Sequence, residues 1–195
     1  MDSKLHFKFS KFGPFVFQTK IDKENIKNIL QLCKKENNAN HKLAGHLKDQ
    51  YDIDKNKYFE YIKQMVLIYI EQAEKWYDKP ICNGIEIVGA WVNFMKAGDF
   101  NPPHVHTNCD LSSVLFLEIP NGLIKERKEY VGKHYGPGSL EFIYGEDRDL
   151  NNTAMNHHPE VGDFFIFPAK VRHCVSPFKS KGIRISLAAN FKLIN

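Results

Sequence analysis

The chain contains 195 residues, of which 43% are hydrophobic and 13% aromatic, a composition typical of a globular protein. A chain of this length is expected to form one domain that buries roughly 70% of its unfolded surface. The net charge of +4 comes from scattered lysines rather than from a basic block, so nucleic-acid binding is not indicated.

Neither membrane insertion nor secretion is indicated by the sequence. The longest apolar stretch, residues 65–70, is too short to cross a bilayer, and no apolar leader follows Met1. The four cysteines show no Cys-x-x-Cys spacing, so we interpret them as free thiols in a reducing compartment. We therefore expect a cytoplasmic protein.

An extended arm and two helices are predicted in the N-terminal part. Residues 5–17 alternate at first and then break at a Gly-Pro pair, which indicates two short strands or an arm. Asp22 is the candidate N-cap of a first helix, whose apolar positions reach Cys33 at helical spacing. Apolar side chains between 58 and 76 predict a longer second helix that ends before Lys79-Pro80.

Strand patterns dominate the chain after residue 84. The segments that favour strand are 85–95, 114–119, 139–144, 162–167 and 183–193. Helices first and strands second predict an α+β domain whose β part closes into a sandwich or barrel. We expect a single domain over 1–195, in which an arm and supporting helices (1–82) pack on a β core (83–195).

Three histidines are the strongest candidate functional residues. His104 and His106 are two apart, and residues two apart on a strand point to the same face. His173 is expected in a loop after the buried strand pattern of 163–168, and it reaches the other two if the strands face each other. Imidazole suits iron, zinc, copper and nickel, which predicts a transition-metal site. Asp110 is the alternative third ligand, although a turn-stabilising aspartate is the plainer interpretation.

Two polar residues of the last strand pattern form a second candidate group. Arg184 and Ser186 share one face of that strand. They either face solvent or point inward, where arginine offers a forked donor and serine a hydroxyl to a carboxylate. The spacing alone does not favour either the solvent-facing or the inward-facing alternative.

A charged, glycine-bounded segment, 121–138, is interpreted as a long loop. Long loops on compact β domains are often lids or binding loops, and a solvated surface hairpin is the equal alternative.

Several motifs, taken together, resemble a known family. In chain order they are Trp91-Val92-Asn93, 97–101, His104-Val105-His106, 111–117, Gly162-Asp163, Phe167-Pro168, His173, 184–187 and Asn190-Phe191. This set is similar to the 2-oxoglutarate/Fe(II)-dependent oxygenases of marine bacteria and their phages, which are related to prolyl-4-hydroxylases. The resemblance covers residues 85–195 well and the N-terminal helices weakly. Ser113 departs from it, since glycine is expected there.

The resemblance implies a double-stranded β-helix, or jelly-roll, with Fe(II) inside one open end. His104 and His173 would take the two histidine places, while His106 stands where the family at large has Asp or Glu. Arg184 and Ser186 would hold the distal carboxylate of 2-oxoglutarate, and Asn93 is a weaker candidate for the same pocket. With O2, the implied reaction hydroxylates an unidentified small molecule or peptide and releases succinate and CO2.

Other interpretations stay open at this point. Three neutral imidazoles also hold zinc, so the metal can be either zinc or iron. A cupin-type metal-binding protein or non-oxygenase metalloenzyme shares the jelly-roll, but has no need of a dicarboxylate clamp at Arg184 and Ser186. A metal-stabilised structural protein without turnover is the third class.

Overall fold

The computed structural model of the chain describes residues 13–133, 135–146, 149–150 and 152–195. Its strands are β1 (Phe17–Lys20), β2 (Gln50–Asp52), β3 (Gly84–Met95), β4 (Asn101–His104), β5 (Leu111–Glu118), β6 (Leu140–Ile143), β7 (Ala154–His157), β8 (Asp163–Pro168), β9 (Arg172–Val175) and β10 (Arg184–Ile194). Its helices are α1 (Lys23–Leu30), α2 (Lys55–Tyr77) and α3 (Asn121–Glu129), with a short 3₁₀ helix at Asn40–Lys42.

The strands form two antiparallel sheets that face each other. The larger sheet has the order β1-β8-β5-β10-β3-β2, and the smaller sheet has the order β4-β9-β6-β7. Phe142 of the smaller sheet packs on Phe165 of the larger one, with ring centroids 5.9 Å apart. From β3 to β10 the chain passes from one sheet to the other at every step except β6 to β7, and two facing sheets connected in this way form a jelly-roll. The expected α+β fold with a double-stranded β-helix core is confirmed.

Helices α1 and α2 cover the outer face of the larger sheet. Five residues of α2 at three- and four-residue spacing are buried there, namely Tyr58, Ile62, Val66, Tyr69 and Ala73. The side chain of Asp54 starts the helix by accepting hydrogen bonds from two main-chain N–H groups of its first turn. Helix α2 ends at Tyr77, before Lys79-Pro80, as predicted. We call this cluster between helices and sheet the helix core.

Strand β8 shows how one strand serves both faces of the larger sheet. Phe164 and Ile166 belong to the helix core, whereas Phe165 and Phe167 point between the sheets. The apolar cluster between the sheets, which we call the inter-sheet core, fills only one part of that space. The remaining space is the cavity described below.

The N-terminal part differs from its prediction in three respects. Residues 1–12, which include most of the predicted arm, lie outside the described residues, and β1 begins only at Phe17. Helix α1 is capped by Asp22 as predicted, but it ends at Leu30, so Cys33 lies beyond it. Strands β1 and β2 join the larger sheet, so the segment 1–82 completes the sheet as well as covering it.

The segment 121–138 is not one long loop, since its first half is helix α3. No side-chain cap marks the start of that helix, which is why the sequence pattern missed it. Leu123 is buried in the inter-sheet core. Arg127 donates hydrogen bonds to the main-chain carbonyls of residues 137, 138 and 159. His134, in the same segment, lies outside the described residues.

Two smaller expectations concern the cysteines and the membrane. All four cysteines are free, as predicted. Among the described residues, no helix combines the length and the apolar character needed to cross a membrane.

Candidate metal centre and adjoining cavity

The three predicted histidines lie together between the sheets. The candidate ligand nitrogens of His104, His106 and His173 are all within 4.8 Å of one another. The Nε2 atoms of His106 and His173 are 3.3 Å apart. Two nitrogens that bind one ion at about 2.1 Å, at neighbouring positions, lie roughly 3.0–3.4 Å apart. Within the described part of the chain, this group includes no carboxylate and no cysteine.

The backbone places these histidines differently from the prediction. His104 is the last residue of β4, whereas His106 lies beyond the strand and is held by a hydrogen bond of 2.9 Å from its N–H to the Ala169 carbonyl. His173 was expected in a loop, but it lies in β9, directly opposite His104 in the register. The convergence therefore comes from pairing of β4 with β9 and from the extended chain after β4, not from one strand alone.

Two main-chain carbonyls determine which nitrogen of each ring can bind a metal. The Nδ1 of His104 contacts the Pro102 carbonyl at 2.7 Å, and the Nδ1 of His173 contacts the Val171 carbonyl at 2.9 Å. Because a carbonyl oxygen only accepts, each Nδ1 must carry the proton. Both rings therefore keep an Nε2 lone pair, which is the arrangement typical of histidine ligands.

Burial keeps the three rings uncharged. Burial, with a smaller contribution from the neighbouring imidazoles, lowers the pKa of His106 to about 3 and that of His173 to about 4. Burial also lowers the pKa of His104. Neutral imidazole is the form that binds metal, so no proton has to be displaced at neutral pH.

Aromatic rings line the centre. Trp91 lies 5.7 Å from His106 between ring centroids, and Phe167 lies 4.8 Å from His173. These rings limit the rotation of the imidazoles and reduce the access of water from the sheet side.

Asp110 is not part of the centre. Its Oδ2 accepts a hydrogen bond of 2.8 Å from the Leu193 N–H, and the residue is exposed. The position agrees with the plainer interpretation of Asp110 as a residue that holds a turn against the last strand.

The histidines open into a cavity of about 410 Å³ between the sheets. Its floor is formed by rows of residues that pair across β3, β10 and β5. Two rows are Trp91, Ala188 and Val114, and Asn93, Ser186 and Phe116; Arg184 follows on β10, opposite Met95 of the inter-sheet core. Arg184 and Ser186 both line this cavity and are only 2% and 4% exposed, so they point inward rather than to solvent.

Arg184 is a buried cation that has no anionic partner among the described residues. Its Nη1 donates to the Gly138 carbonyl at 3.2 Å, and its guanidinium carbon lies 5.0 Å from the Phe116 ring centroid. Its Nε has no hydrogen-bond partner, and no described carboxylate pairs with the group. Burial lowers its pKa to about 9, with a contribution from the Arg127 charge, so it remains cationic at neutral pH. A buried cation with free donors suits a carboxylate ligand.

One wall of the cavity was missed at the sequence level. It consists of residues 42–45 together with Gln50, whose Nε2 donates to Asn93 Oδ1 at 2.8 Å. Gln50 lies on β2, which has three residues at the edge of the larger sheet, and so short a strand leaves no periodic signal.

The segment 121–138 contributes no wall to this cavity within its described residues. Its closure over a substrate stays a prediction. At the end of the segment, the Gly138 carbonyl accepts a hydrogen bond from Arg184 Nη1.

The chain is similar to known proteins at two levels, a protein family and a fold. The family described as "Putative 2OG-Fe(II) oxygenase" matches residues 89–190, a range that contains all three histidines and Arg184. No curated protein matches the chain.

Solved structures that share the fold include the following three. A prolyl-4-hydroxylase from Pseudomonas putida has a TM-score of 0.60 at 16% identity and covers 92% of this chain and 93% of its own. A viral collagen prolyl hydroxylase from Paramecium Bursaria Chlorella virus-1 has a TM-score of 0.61 at 11% identity, covering 94% and 98%. HygX from Streptomyces hygroscopicus, with nickel and 2-oxoglutarate bound, has a TM-score of 0.54 at 8% identity, covering 91% and 82%.

Proposed function

The chain belongs to the family of 2OG-Fe(II) oxygenases, and from that premise we propose that His104, His106 and His173 hold its Fe(II) ion. The support is the convergence of their nitrogens within 4.8 Å and the uncharged state that burial imposes. Asp110 stays outside this ligand set because its carboxylate binds the Leu193 N–H.

We further propose that Arg184, Ser186 and Asn93 hold 2-oxoglutarate. The observation that carries the proposal is the buried, unpaired guanidinium of Arg184 in the same cavity as the three histidines. A dicarboxylate can satisfy it with two charge-assisted hydrogen bonds while its other end faces the metal ligands. A cupin-type protein does not require such a group.

The three-histidine set changes the charge of the centre. With no carboxylate ligand, a divalent ion keeps a charge of about +2, where a carboxylate would leave about +1. A bound 2-oxoglutarate dianion offsets that charge together with Arg184. We therefore expect metal and cosubstrate to bind cooperatively.

The protein residues bind the metal and the cosubstrate, orient them and shield the centre from water. When bound, the iron supplies the oxidative decarboxylation of 2-oxoglutarate to succinate and CO2, coupled through O2 to hydroxylation of a C–H bond. Arg184 and Ser186 orient the cosubstrate, the carbonyls of Pro102 and Val171 hold the two histidine tautomers, and Trp91 limits the access of water.

The proposal also covers the class of substrate and the cellular compartment. We propose a small molecule or peptide that enters beside residues 42–45 at the cavity mouth. The four free cysteines support a reducing, cytoplasmic compartment. A source among marine bacteria or phages, and a division of the domain at residues 82 and 83, stay predictions.

Anaerobic titration of the Fe(II)-loaded protein with 2-oxoglutarate tests the function before any substrate is known. A visible metal-to-ligand band should develop with one equivalent of cosubstrate, and admission of O2 should then release succinate. Zinc-loaded protein is the matched control and should show neither. If Fe(II) binds but neither band nor succinate appears, a cupin-type metal-binding protein becomes the better assignment.

A further inference from the structure

Gln50 stands at the end of a row of polar residues that leads to the proposed cosubstrate pocket. In the register of the larger sheet, Gln50 is opposite Asn93, and Asn93 is opposite Ser186. Side chains directly opposite each other on antiparallel strands have Cβ atoms about 4.5–5.5 Å apart. All three residues line the cavity. Gln50 lies outside the range 89–190 that the family matches.

The contact between the two carboxamides is buried and direct. Gln50 Nε2 donates to Asn93 Oδ1 at 2.8 Å, and the two residues are 2% and 5% exposed. A carboxamide has an acceptor end and a donor end. Because the oxygen of Asn93 is turned towards Gln50, its Nδ2 end, which carries two N–H donors, is turned away from Gln50.

We propose that Gln50 is a positioning residue, which orients the Asn93 amide so that its N–H groups face the carboxylate of 2-oxoglutarate beside Ser186. The inference rests on the proposed function. It adds a residue that would not touch the cosubstrate itself and that comes from the N-terminal segment.

The Gln50 and Asn93 amides could also adopt the reversed orientation, and a bound carboxylate would disfavour it. In the observed orientation, the Oε1 of Gln50 is buried and has no hydrogen-bond partner. If both amides were reversed, Asn93 would donate to that oxygen and would present its own Oδ1 to the cavity. An acceptor beside a carboxylate is repulsive, so a bound carboxylate selects the observed orientation.

Two variants distinguish hydrogen-bond donation from residue 50 to Asn93 from simple occupation of the space beside Asn93. In Gln50→Glu, the carboxylate only accepts, so Asn93 must donate to residue 50 and present Oδ1 to the cosubstrate. In Gln50→Met, Asn93 keeps both orientations. By calorimetry on Mn(II)-loaded protein, we expect 2-oxoglutarate to bind roughly 30- to 100-fold more weakly to Gln50→Glu and about 3- to 10-fold more weakly to Gln50→Met.

A double-mutant cycle with Asn93→Leu excludes direct charge repulsion by the new glutamate. If Gln50 acts through Asn93, Gln50→Glu should weaken binding by less than about threefold further in the Asn93→Leu background. An equal loss in both backgrounds means that the glutamate repels the cosubstrate through space, and this overturns the positioning role.

Tyr51→Phe is the matched control on the same strand. It removes a hydroxyl that donates to Asp49 outside the cavity, and its 2-oxoglutarate affinity should equal that of the parent. Should Gln50→Glu fail to fold, Gln50→Met alone decides, since parental affinity in that variant contradicts the inference. If the parent itself binds no 2-oxoglutarate, the proposed function falls and this inference falls with it; if the parent binds and both Gln50 variants match it, this inference alone falls.

Discussion

Successive residues of β10 face opposite sides of the larger sheet. One side packs in the helix core and stabilises the fold, and the other lines the cavity that is proposed to bind the cosubstrate. Leu187 and Phe191 point to the helix core and are fully buried among apolar side chains. Arg184 and Ser186 point into the cavity and are almost as deeply buried, but they line a space that also contains polar side chains such as Asn93. Burial alone therefore does not identify the stabilising residues of this strand; the face does.

Both faces contain buried polar atoms without hydrogen-bond partners, but the charged group among them, Arg184, lies on the cavity side. Among the described residues, the cavity side has buried polar atoms without partners at Arg184 Nε, Gln50 Oε1 and Asn101 Oδ1. On the helix side, the hydroxyls of Tyr58 and Ser113 also lack partners. A buried polar atom without a partner costs about 1–3 kcal/mol. The unpaired cation at Arg184 is the largest of these costs, and a ligand carboxylate would remove it.

The largest expected effect concerns the metal centre. His173→Ala, His104→Ala and His106→Ala should each abolish stoichiometric Mn(II) binding, because a three-ligand site loses one of its few donors. The measurement is calorimetry or metal analysis after gel filtration. His158→Ala, at an exposed histidine outside the group, is the control and should bind as the parent does. Retained binding in His106→Ala with loss in Asp110→Ala would mean that the third ligand is wrongly assigned.

Arg184→Met sharpens the contrast between the faces because it should act on affinity and stability in different directions. Loss of one partner of a desolvated charge pair costs about 2–5 kcal/mol, so 2-oxoglutarate should bind roughly 30- to 4000-fold more weakly. The ligand-free variant should unfold at the same or a higher temperature than the parent, because a buried unpaired cation is removed. Calorimetry and thermal melts measure the two effects, and a lower Tm with unchanged affinity would assign Arg184 to the scaffold.

Leu187→Ala is the reciprocal test on the helix side of the same strand. Leu187 is fully buried in the helix core, and large-to-small changes at such sites cost about 2–5 kcal/mol. Denaturant unfolding should show this loss, while the folded protein keeps parental affinity for 2-oxoglutarate. A comparable loss of cosubstrate affinity would show that the two faces are coupled through the strand.

Ser186→Ala should have the smallest effect. One hydrogen bond to a carboxylate is removed, which predicts about tenfold weaker 2-oxoglutarate binding and little change in the free energy of unfolding. Calorimetry on Mn(II)-loaded protein measures the affinity. Parental binding in this variant would remove Ser186 from the pocket while leaving Arg184 in place.

Local periodicity predicted the elements that carry a strong pattern. Helix α2 has an apolar face of several turns, and β3, β8 and β10 have buried alternation or long apolar runs. Strands β2, β4, β7 and β9 have only three or four residues each, which is too short for a reliable period. Helix α3 was missed because neither a cap nor a long apolar face marks it.

The residue types and spacings by themselves predicted an α+β domain with a β sandwich or barrel and identified His104, His106 and His173 as candidate ligands. The jelly-roll, and the role of Arg184 with Ser186 as a carboxylate clamp, came from the resemblance to the oxygenase family. The residue types and spacings left open whether Arg184 faces solvent or the interior, and whether Asp110 replaces His106. Only the tertiary structure turns Arg184 inward, brings the three histidine rings within 4.8 Å of one another and places Asp110 against the Leu193 N–H, since the direction of a side chain depends on which strand pairs with which. The register that sets His104 opposite His173 and Gln50 opposite Asn93 joins residues 69 and 43 positions apart, a distance at which no local pattern operates.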